Sequence, residues 1–502
     1  MKNVKLLIKA LSICLLVIQF HTTNAQNRRE IGNMILEDVP EIPEEIKSRI
    51  QQYQNTRSAS LADWLPNDQG ILIATRFGNT TQLHTVAQPG GARNQITYFD
   101  EPVPNGRFSP GKGHNGFLYT KDAGGNEFSQ IYWYSMDSRQ SEMLSDGASR
   151  NHGIVWSNDG NKFAFTSTRR NKKDNDIYLS DMSSPQKAVI AVDKGKGNWW
   201  VADWSPEDDK LSVTQYLSKV KSNSYIYDIT TGELKQINVD GQEAVFKALD
   251  WNQSGNKLYV ITNVGEEFNK LAEYNVESGK YSYITKDINW DIDEFVVNKD
   301  RTKAAFIVNE NGFSQLYLIN LLSNKYREVT NLSIGQVSGL KFHPTQDKLG
   351  MNLNSTNTPG DVFVYDLQTQ ETVRWTNSEV GGLNTTIFPK PALIEYETFD
   401  KVDGQIRKIP AFVYKPEGTS DNLPVMIAIH GGPEGQHKPH FISFFAYLAN
   451  ELGIALIAPN VRGSSGYGKT YVELDNGYNR EHSVKDIGKL IEWIEKQPEY
   501  DA

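Results

Sequence analysis

A pattern that recurs seven times limits the possible folds of this chain more than any other feature. Each copy begins with an aromatic or apolar residue, turns through Pro, Asn, Asp or Gly, and continues into an alternating strand. Consecutive copies begin 44 to 48 residues apart, at Trp64, Phe108, Trp156, Trp204, Trp251, Val297 and Phe342. A period of this length indicates one supersecondary unit built seven times.

A second strand pattern recurs later in the repeats, at 128–136, 175–182, 224–229, 268–276, 313–321 and 361–367. Strand, polar turn, strand and turn at this period are typical of four-stranded propeller blades. The sequence therefore predicts an all-β seven-bladed propeller over residues 59–388. A pair of β-sandwiches, the alternative, does not predict so even a period.

Length and charge exclude several classes of protein. The chain has 502 residues, enough for two or three domains. Its net charge of −9 comes without a basic cluster, which argues against a nucleic-acid partner. Its low mean hydropathy argues against a protein that crosses a membrane several times.

The amino terminus has the pattern of a secretory signal peptide. The first 25 residues carry three lysines, no acidic residue, an apolar run over residues 10–20 and a small residue, Ala25, at the end. We expect residues 1–25 to be removed on export to the periplasm or the medium, with no permanent membrane anchor. A buried first helix is the alternative. The sole cysteine, Cys14, lies in this segment, so the mature protein would have none.

The pattern changes after an N-terminal segment (26–58) and the propeller. Residues 389–502 read as a hairpin of strands followed by strand, helix, strand and helix, as at the beginning of an α/β domain with a parallel sheet. "LPVMIAIHGGPEG" predicts a buried strand, and "ISFFAYLANELG" predicts a helix that ends at Gly453. "IALIAPN" predicts another buried strand. The last helix has one apolar face, formed by Ile487, Leu490, Ile491 and Ile494.

These motifs, in this order, carry a family resemblance. "HGGP" at 430–433 with Gln436 nearby, "NVRGSSGYGKTY" at 460–471 and "SVKDIGKLIEWI" at 483–494 follow the seven repeats. The mature chain resembles the prolyl oligopeptidase family of serine peptidases, most of all its acylaminoacyl-peptidase and dipeptidyl-peptidase-like branch. The resemblance implies a propeller placed over an α/β-hydrolase domain and hydrolysis of oligopeptides through an acyl-enzyme. The propeller would keep folded proteins from the site.

One stretch also spells a phosphate-binding loop, G-x-x-x-x-G-K-T, with Gly463, Gly468, Lys469 and Thr470 at the fixed positions. Such a loop needs a long helix that begins at its threonine and a downstream acid that holds magnesium. Gly477 interrupts any helix here within two turns, and 32 residues follow Thr470. We interpret the match as accidental and predict no nucleotide partner.

A serine hydrolase needs a nucleophilic serine, a histidine and an acid, and in α/β-hydrolases the serine lies in G-x-S-x-G. The 502 residues contain no G-x-S-x-G. The resemblance implies that all three catalytic residues lie beyond Ala502, so that the α/β-hydrolase domain is incomplete and the chain alone is inactive. The alternative is an exported, non-catalytic propeller protein that binds peptides or a partner. Neither hypothesis implies a cofactor.

The candidate site residues belong to the part of the active site that supports the catalytic triad and does not include it. By resemblance, the turn His430, Gly431 and Gly432 would form part of the oxyanion hole, with the N–H of Gly432 as the donor. His430 stands where some relatives carry an oxyanion-binding tyrosine, which leaves a contribution from its side chain open. A plain strand-end turn is the alternative. Arg462 could orient the loop or contact substrate, but a structural salt bridge is favoured.

Three pairs of polar residues are weaker candidates. Glu266 and Glu267 could hold the amino terminus of a peptide, but a similar "GNEF" stretch in an earlier repeat favours an inter-strand turn. His437 and His440 have the spacing of metal ligands without a matching acid, so a solvated loop and no metal site are expected. His482 and Asp486, one helical turn apart, are expected to form a surface pair.

The incomplete domain also carries a prediction about folding. Without further strands, the segments "VMIAIH" (425–430) and "IALIAP" (454–459) would lack neighbours on the sheet. We therefore expect limited proteolysis to leave a propeller core and to remove most of the chain beyond residue 391.

Overall fold

The computed structural model describes residues 28–31, 34–238, 241–418, 422–432 and 434–501. The predicted signal peptide, residues 1–25, lies outside the described residues. The described residues before Gln52 form a separate compact unit. It contains the hairpin of β1 (Arg28–Ile31) and β2 (Met34–Glu37) and most of helix α1 (Glu44–Gln54).

Seven four-stranded antiparallel sheets follow, and they confirm the predicted seven-bladed propeller. Each blade takes four consecutive strands of the chain. The strands are β3–β6 (Ala59–Trp64, Ile71–Thr75, Gln82–Val86, Asn94–Gln95), β7–β10 (Arg107–Phe108, Gly116–Lys121, Gln130–Ser135, Ser141–Met143), β11–β14 (Asn151–Trp156, Lys162–Ser167, Asp176–Asp181, Val189–Val192), β15–β18 (Asn198–Trp204, Lys210–Ser218, Lys221–Asp228, Leu234–Gln236), β19–β22 (Phe246–Trp251, Lys257–Thr262, Lys270–Asn275, Tyr281–Tyr283), β23–β26 (Asp291–Val297, Lys303–Glu310, Phe313–Asn320, Lys325–Glu328) and β27–β30 (Gln336–Phe342, Lys348–Ser355, Thr358–Asp366, Thr372–Arg374).

Contacts between blades explain the aromatic residue that opens several repeats. The indole N–H of Trp156 donates to the carbonyl of Arg107 in the preceding blade, and that of Trp204 donates to Val155, both at 3.1 Å. Trp64 does the same across the closure of the ring, where it donates to Lys341 of blade 7 at 3.1 Å. Since blade 1 exchanges no strand with blade 7, side-chain contacts such as this one close the ring.

The C-terminal region forms one mixed five-stranded sheet, in the order β31-β32-β34-β33-β35. Its strands are β31 (Pro391–Val402), β32 (Gln405–Tyr414), β33 (Leu423–Ile427), β34 (Ala455–Pro459) and β35 (Tyr500–Asp501). The pairs β33–β34 and β33–β35 are parallel, whereas β31–β32 and β32–β34 are antiparallel. Its helices are α2 (Ser443–Leu452), α3 (Lys469–Glu473) and α4 (Glu481–Ile494). Short 3-10 turns cover Pro66–Asp68, Thr385–Ile387 and Gly477–Arg480.

The expectation that both apolar strands lack neighbours is wrong for 454–459. Strand β34 lies between β32 and β33, and all five of its residues are buried. The hairpin β31–β32 supplies the neighbour that the prediction overlooked. Strand β33 is partly exposed. Its second neighbour, β35, pairs with it only at Leu423 and Pro424.

The helices agree with the sequence except at one position. Helix α2 ends at Gly453, which adopts φ +64°, the left-handed conformation that glycine tolerates. Helix α4 packs on β31 and buries Leu490 and Ile494 in the core. Ile491, predicted on the same face, is 47% exposed because the buried stripe is narrower than expected. No helix among the described residues is long and apolar enough to cross a membrane.

Candidate active site

The "HGGP" turn follows β33, at the carboxyl end of a strand with parallel neighbours. His430 is half-buried, while Gly431 and Gly432 are exposed. Gly432 adopts φ +65°, a conformation that favours glycine. Ligand sites in open α/β sheets lie outside the carboxyl ends of the strands, so the turn occupies the place where a substrate oxygen could meet backbone N–H groups.

The side chain of His430 is hydrogen-bonded to the loop that follows β34. Its Nε2 lies 2.8 Å from the hydroxyl of Ser464, which is fully buried. The Ser464 hydroxyl also lies 2.6 Å from the carbonyl oxygen of Val461. Burial lowers the pKa of His430, which favours the neutral imidazole at neutral pH.

The same loop supports the rest of the turn. The N–H of Ser465 donates to the carbonyl of Gly435 at 3.0 Å. A Cβ at Gly466 would lie 2.5 Å from Oε1 of Gln436, and a Cβ at Gly463 would lie 2.2 Å from a carboxylate oxygen of Asp475. Gly463 and Gly466 are therefore needed for close packing against Asp475 and Gln436.

The position that a phosphate would take in such a loop is occupied by Glu267 of the propeller. Its carboxylate accepts hydrogen bonds from the N–H of Thr470 at 2.7 Å and from the Thr470 hydroxyl at 2.8 Å. A Cβ at Gly468 would lie 2.4 Å from Oε1 of Glu267. Helix α3, which starts here, has five residues, so the long helix that a nucleotide-binding loop needs is not formed.

Glu266 and Glu267 lie in the turn between β20 and β21, as the sequence predicted. Glu266 is 3.5 Å from the ammonium of Lys270. The contact of Glu267 with Thr470 was not anticipated, because 203 residues separate the two in the sequence.

Arg462 forms a buried salt bridge, the role that the sequence favoured. Its side chain is 2% exposed and its Nη2 lies 2.8 Å from both Asp486 and Asp400. The predicted surface pair of His482 and Asp486 is wrong. Asp486 is fully buried against Arg462, since a buried guanidinium needs carboxylate partners, while His482 packs on Phe399.

The prediction of a solvated loop is wrong for His437. It is 8% exposed, its Nε2 lies 2.8 Å from the hydroxyl of Tyr414, and its ring stacks on Phe445. Burial lowers the pKa of His437 to about 4. His440 is half-buried, with Nδ1 2.7 Å from the carbonyl of Lys438. In the described part of the chain, no group of three His, Cys, Asp or Glu residues could hold a metal ion.

A cavity of about 350 Å³ lies between the propeller and the two loops that follow β33 and β34. Asp291 and Asp293 line it from blade 6, and Lys438, Lys469 and Gln436 line it from the C-terminal region. Asp293 forms an ion pair with Lys438, and burial raises the pKa of Asp291 to about 6. The cavity therefore offers both acidic and basic groups to a polar ligand.

Comparison with known proteins identifies the family. Residues 104–378, more than half of the chain, match the family described as "Prolyl oligopeptidase, N-terminal beta-propeller domain". This chain belongs to the prolyl oligopeptidase family. It is 25% identical over 222 residues to prolyl oligopeptidase A of Amanita bisporigera, covering 42% of this chain and 28% of that protein.

One further curated relative and one solved structure are similar to this chain, and the structure shows the shared fold. The chain is 20% identical over 315 residues to dipeptidyl-peptidase 5 of Porphyromonas gingivalis, covering 60% of this chain and 44% of that protein. It therefore spans less than half the length of both curated relatives. A solved structure from a study of two prolyl endopeptidases has a TM-score of 0.77 at 15% identity, covering 91% of this chain and 68% of that one.

The turn is visible in the sequence, but the residues that hold it in place are not. Ser464 and Glu267 each contact a partner that is distant in sequence, and Asp291 reaches the cavity only because blade 6 faces the C-terminal sheet. The available signal was the close spacing of glycines in 463–468, which indicates close backbone approach without naming the partner.

Proposed function

We propose that this chain carries the propeller and the oxyanion-binding part of an α/β-hydrolase domain in a serine peptidase that hydrolyses oligopeptides through an acyl-enzyme. The observation that carries the proposal is the glycine turn at the carboxyl end of β33, followed by Gly435 and Gln436 on the wall of a cavity against the propeller. A mixed sheet with such a turn after a strand that runs parallel to both its neighbours has no evident use in a propeller that only binds a partner.

In the proposed reaction, the substrate carbonyl lies at the turn, and the N–H of Gly432 donates to the oxygen as negative charge develops on it. Removal of one oxyanion donor typically lowers kcat by about 100- to 1000-fold, so a correctly placed turn matters greatly. The nucleophile, base and acid are supplied by residues beyond 502, and residues 1–502 alone do not hydrolyse peptides.

The propeller restricts what reaches the turn. The cavity of about 350 Å³ is small compared with a folded protein, and blade 6 supplies charged groups to its wall. In this proposal an extended oligopeptide enters the space between propeller and sheet, and a folded protein does not.

We also propose that residues 1–25 direct export of the protein and are then removed. The support is the composition of this segment, which has three lysines, an apolar run and Ala25. Mass spectrometry of the mature protein should find a first residue at or near Gln26, and a soluble protein that retains Met1 would contradict export.

The test of the peptidase proposal is the reading frame after codon 502 and the activity of its product. We expect the frame to continue through a G-x-S-x-G motif, then an acid and a histidine. The product should cleave oligopeptides. It should leave intact a folded protein that contains the same peptide sequences. A stop codon directly after Ala502, with peptide binding but no cleavage, would overturn the proposal in favour of a non-catalytic exported propeller.

A further inference from the structure

A chain of hydrogen bonds runs from His430 through Ser464 to Val461. The Ser464 hydroxyl has one hydrogen and lies 2.6 Å from the carbonyl oxygen of Val461. Two acceptor oxygens do not approach so closely without a hydrogen between them, so this hydroxyl donates to Val461. Its oxygen must then accept the remaining bond, 2.8 Å long, from Nε2–H of His430.

The other edge of the imidazole has no comparable partner. Nδ1 lies 3.3 Å from the carbonyl oxygen of Gly431, which is long for a hydrogen bond. A Cβ at Gly435 would lie 3.1 Å from this nitrogen, so the backbone passes close to it. The ring therefore has its hydrogen on Nε2, and Nδ1 keeps a lone pair.

We propose that Ser464 is a positioning residue for the oxyanion turn: it holds His430 as the neutral Nε2–H tautomer and thereby fixes the orientation of the adjacent Gly431 and Gly432. The positioning role rests on the proposed function, since the oxyanion role of the turn is itself proposed. The hydrogen-bond assignment stands on the geometry alone.

The assignment limits what His430 can do. Its Nε2–H is committed to a fully buried serine, and its Nδ1 is an acceptor. A neutral His430 therefore has no N–H to offer a developing oxyanion, and the stabilising donor must be backbone. Burial also lowers the pKa of His430, so the cation that could donate from Nδ1 is a minor species at neutral pH.

The neighbouring serine provides a matched control. Ser465 supports the turn through its backbone N–H, which donates to the carbonyl of Gly435 at 3.0 Å. Substitution of its side chain leaves that bond in place. Ser464→Ala removes the acceptor for His430, whereas Ser464→Thr retains a hydroxyl.

The test is NMR of the purified 502-residue chain with labelled histidine and glycine, with His430 assigned through His430→Gln. We expect Nε2 of His430 to carry the hydrogen in the parent chain, in Ser464→Thr and in Ser465→Ala. Ser464→Ala should move the tautomer ratio toward Nδ1–H by about three- to tenfold, the worth of one hydrogen bond. The amide resonance of Gly432 should shift in Ser464→Ala and stay in place in Ser465→Ala.

Two results would overturn the proposal: a parent chain with the hydrogen on Nδ1, or Ser464→Ala with the parent tautomer ratio and an unmoved Gly432 amide. If Ser464→Ala fails to fold, the parent tautomer decides, and a hydrogen on Nδ1 overturns the proposal. Because no readout uses catalysis, a failure here leaves the peptidase proposal standing, and a failed peptidase proposal leaves the tautomer assignment standing.

Discussion

The propeller and the C-terminal sheet bury similar residues but are assembled in different ways. Each blade completes its four strands in chain order, so its pairs form between neighbours in the sequence. In the C-terminal sheet, β34 inserts between β32 and β33, and β35 returns to β33 from the far end of the region. The propeller therefore repeats pairing between chain neighbours seven times. In the second sheet only the β31–β32 hairpin pairs chain neighbours, and the other pairs join distant segments.

Each region also contains a buried arginine that joins separate blades or elements through ion pairs and hydrogen bonds. Arg301 of blade 6 donates to Asp203 of blade 4 at 2.6 Å and to the carbonyl of Trp251 in blade 5 at 2.8 Å. Arg462 joins the hairpin strand β31, through Asp400, to helix α4, through Asp486. Breaking a buried ion pair leaves an uncompensated charge, so each arginine should be important in its own region.

The largest effect is expected from Arg462→Met, which leaves Asp486 buried without a cation. Loss of one partner of a buried pair costs about 3–5 kcal/mol. Hydrogen exchange followed by mass spectrometry should show faster exchange in β34 and α4, with the blades unchanged, and proteolysis should release the region after Pro391.

Two variants make this result specific. Arg407→Met removes a more exposed partner of Asp400, 3.1 Å away, and should cost less than about 1 kcal/mol. Arg301→Met should accelerate exchange in the propeller and leave β34 protected. Equal acceleration in both regions after Arg462→Met would show that they do not unfold independently.

Acid should weaken the C-terminal sheet through His437, whose folded pKa is about 4. An unfolded histidine has a pKa near 6.5, so the unfolded state binds the proton first as pH falls. The contribution of neutral His437 to the free energy of unfolding is complete above pH 6.5. It is lost as pH falls toward 4, and its total is about 3 kcal/mol. The free energy of unfolding measured across this range should show the slope, and His437→Gln should reduce it.

The half-buried His482 serves as the control for the acid effect. His482→Gln should leave the slope between pH 6.5 and 4 in place. A parent chain whose C-terminal sheet keeps constant stability across this range would contradict a neutral, buried His437.

A smaller effect is expected at the contact between Glu267 of the propeller and Thr470 of the C-terminal region. Glu267→Gln weakens the bonds to the N–H and hydroxyl of Thr470 and should cost about 1.5 kcal/mol of protection in 463–473. Glu266→Gln changes a residue of the same turn that faces Lys270 instead. The same change in exchange for both variants would argue against a specific role for Glu267.

The smallest effect is expected from Lys469→Met. In a nucleotide-binding loop this lysine would contact phosphate, but here the carboxylate of Glu267 takes that place. Stability should stay within about 0.5 kcal/mol of the parent chain. Thermal shifts with added ATP and magnesium should be absent in both proteins. An ATP-dependent shift that is lost in Lys469→Met would instead support nucleotide binding by this loop.

The contrast between the regions also explains what could be predicted from the sequence. The blades were predictable because the aromatic anchor and turn repeat locally, as at Trp156 and Trp204. The neighbours of β34 were not, since the pairing of β32 with it depends on segments far apart in the chain. His437 and Asp486 were placed at the surface because their buried partners, Tyr414 and Arg462, lie 23 and 24 residues away.

For the site, the sequence predicted the glycine turn and the structural role of Arg462. The oxyanion role of His430, Gly431 and Gly432 stays a prediction. The supporting contact of Ser464 could not be predicted, because two adjacent serines look alike in sequence and only one is directed to the imidazole.

The proposed serine-peptidase role is tested most directly by labelling with a fluorophosphonate probe, with the modified residue mapped by mass spectrometry. We expect residues 26–502 to stay unlabelled, and the native protein from its source to be labelled on one serine in a G-x-S-x-G motif outside residues 1–502. A label on any serine within 26–502, or a native protein that remains unlabelled while folded, would contradict it.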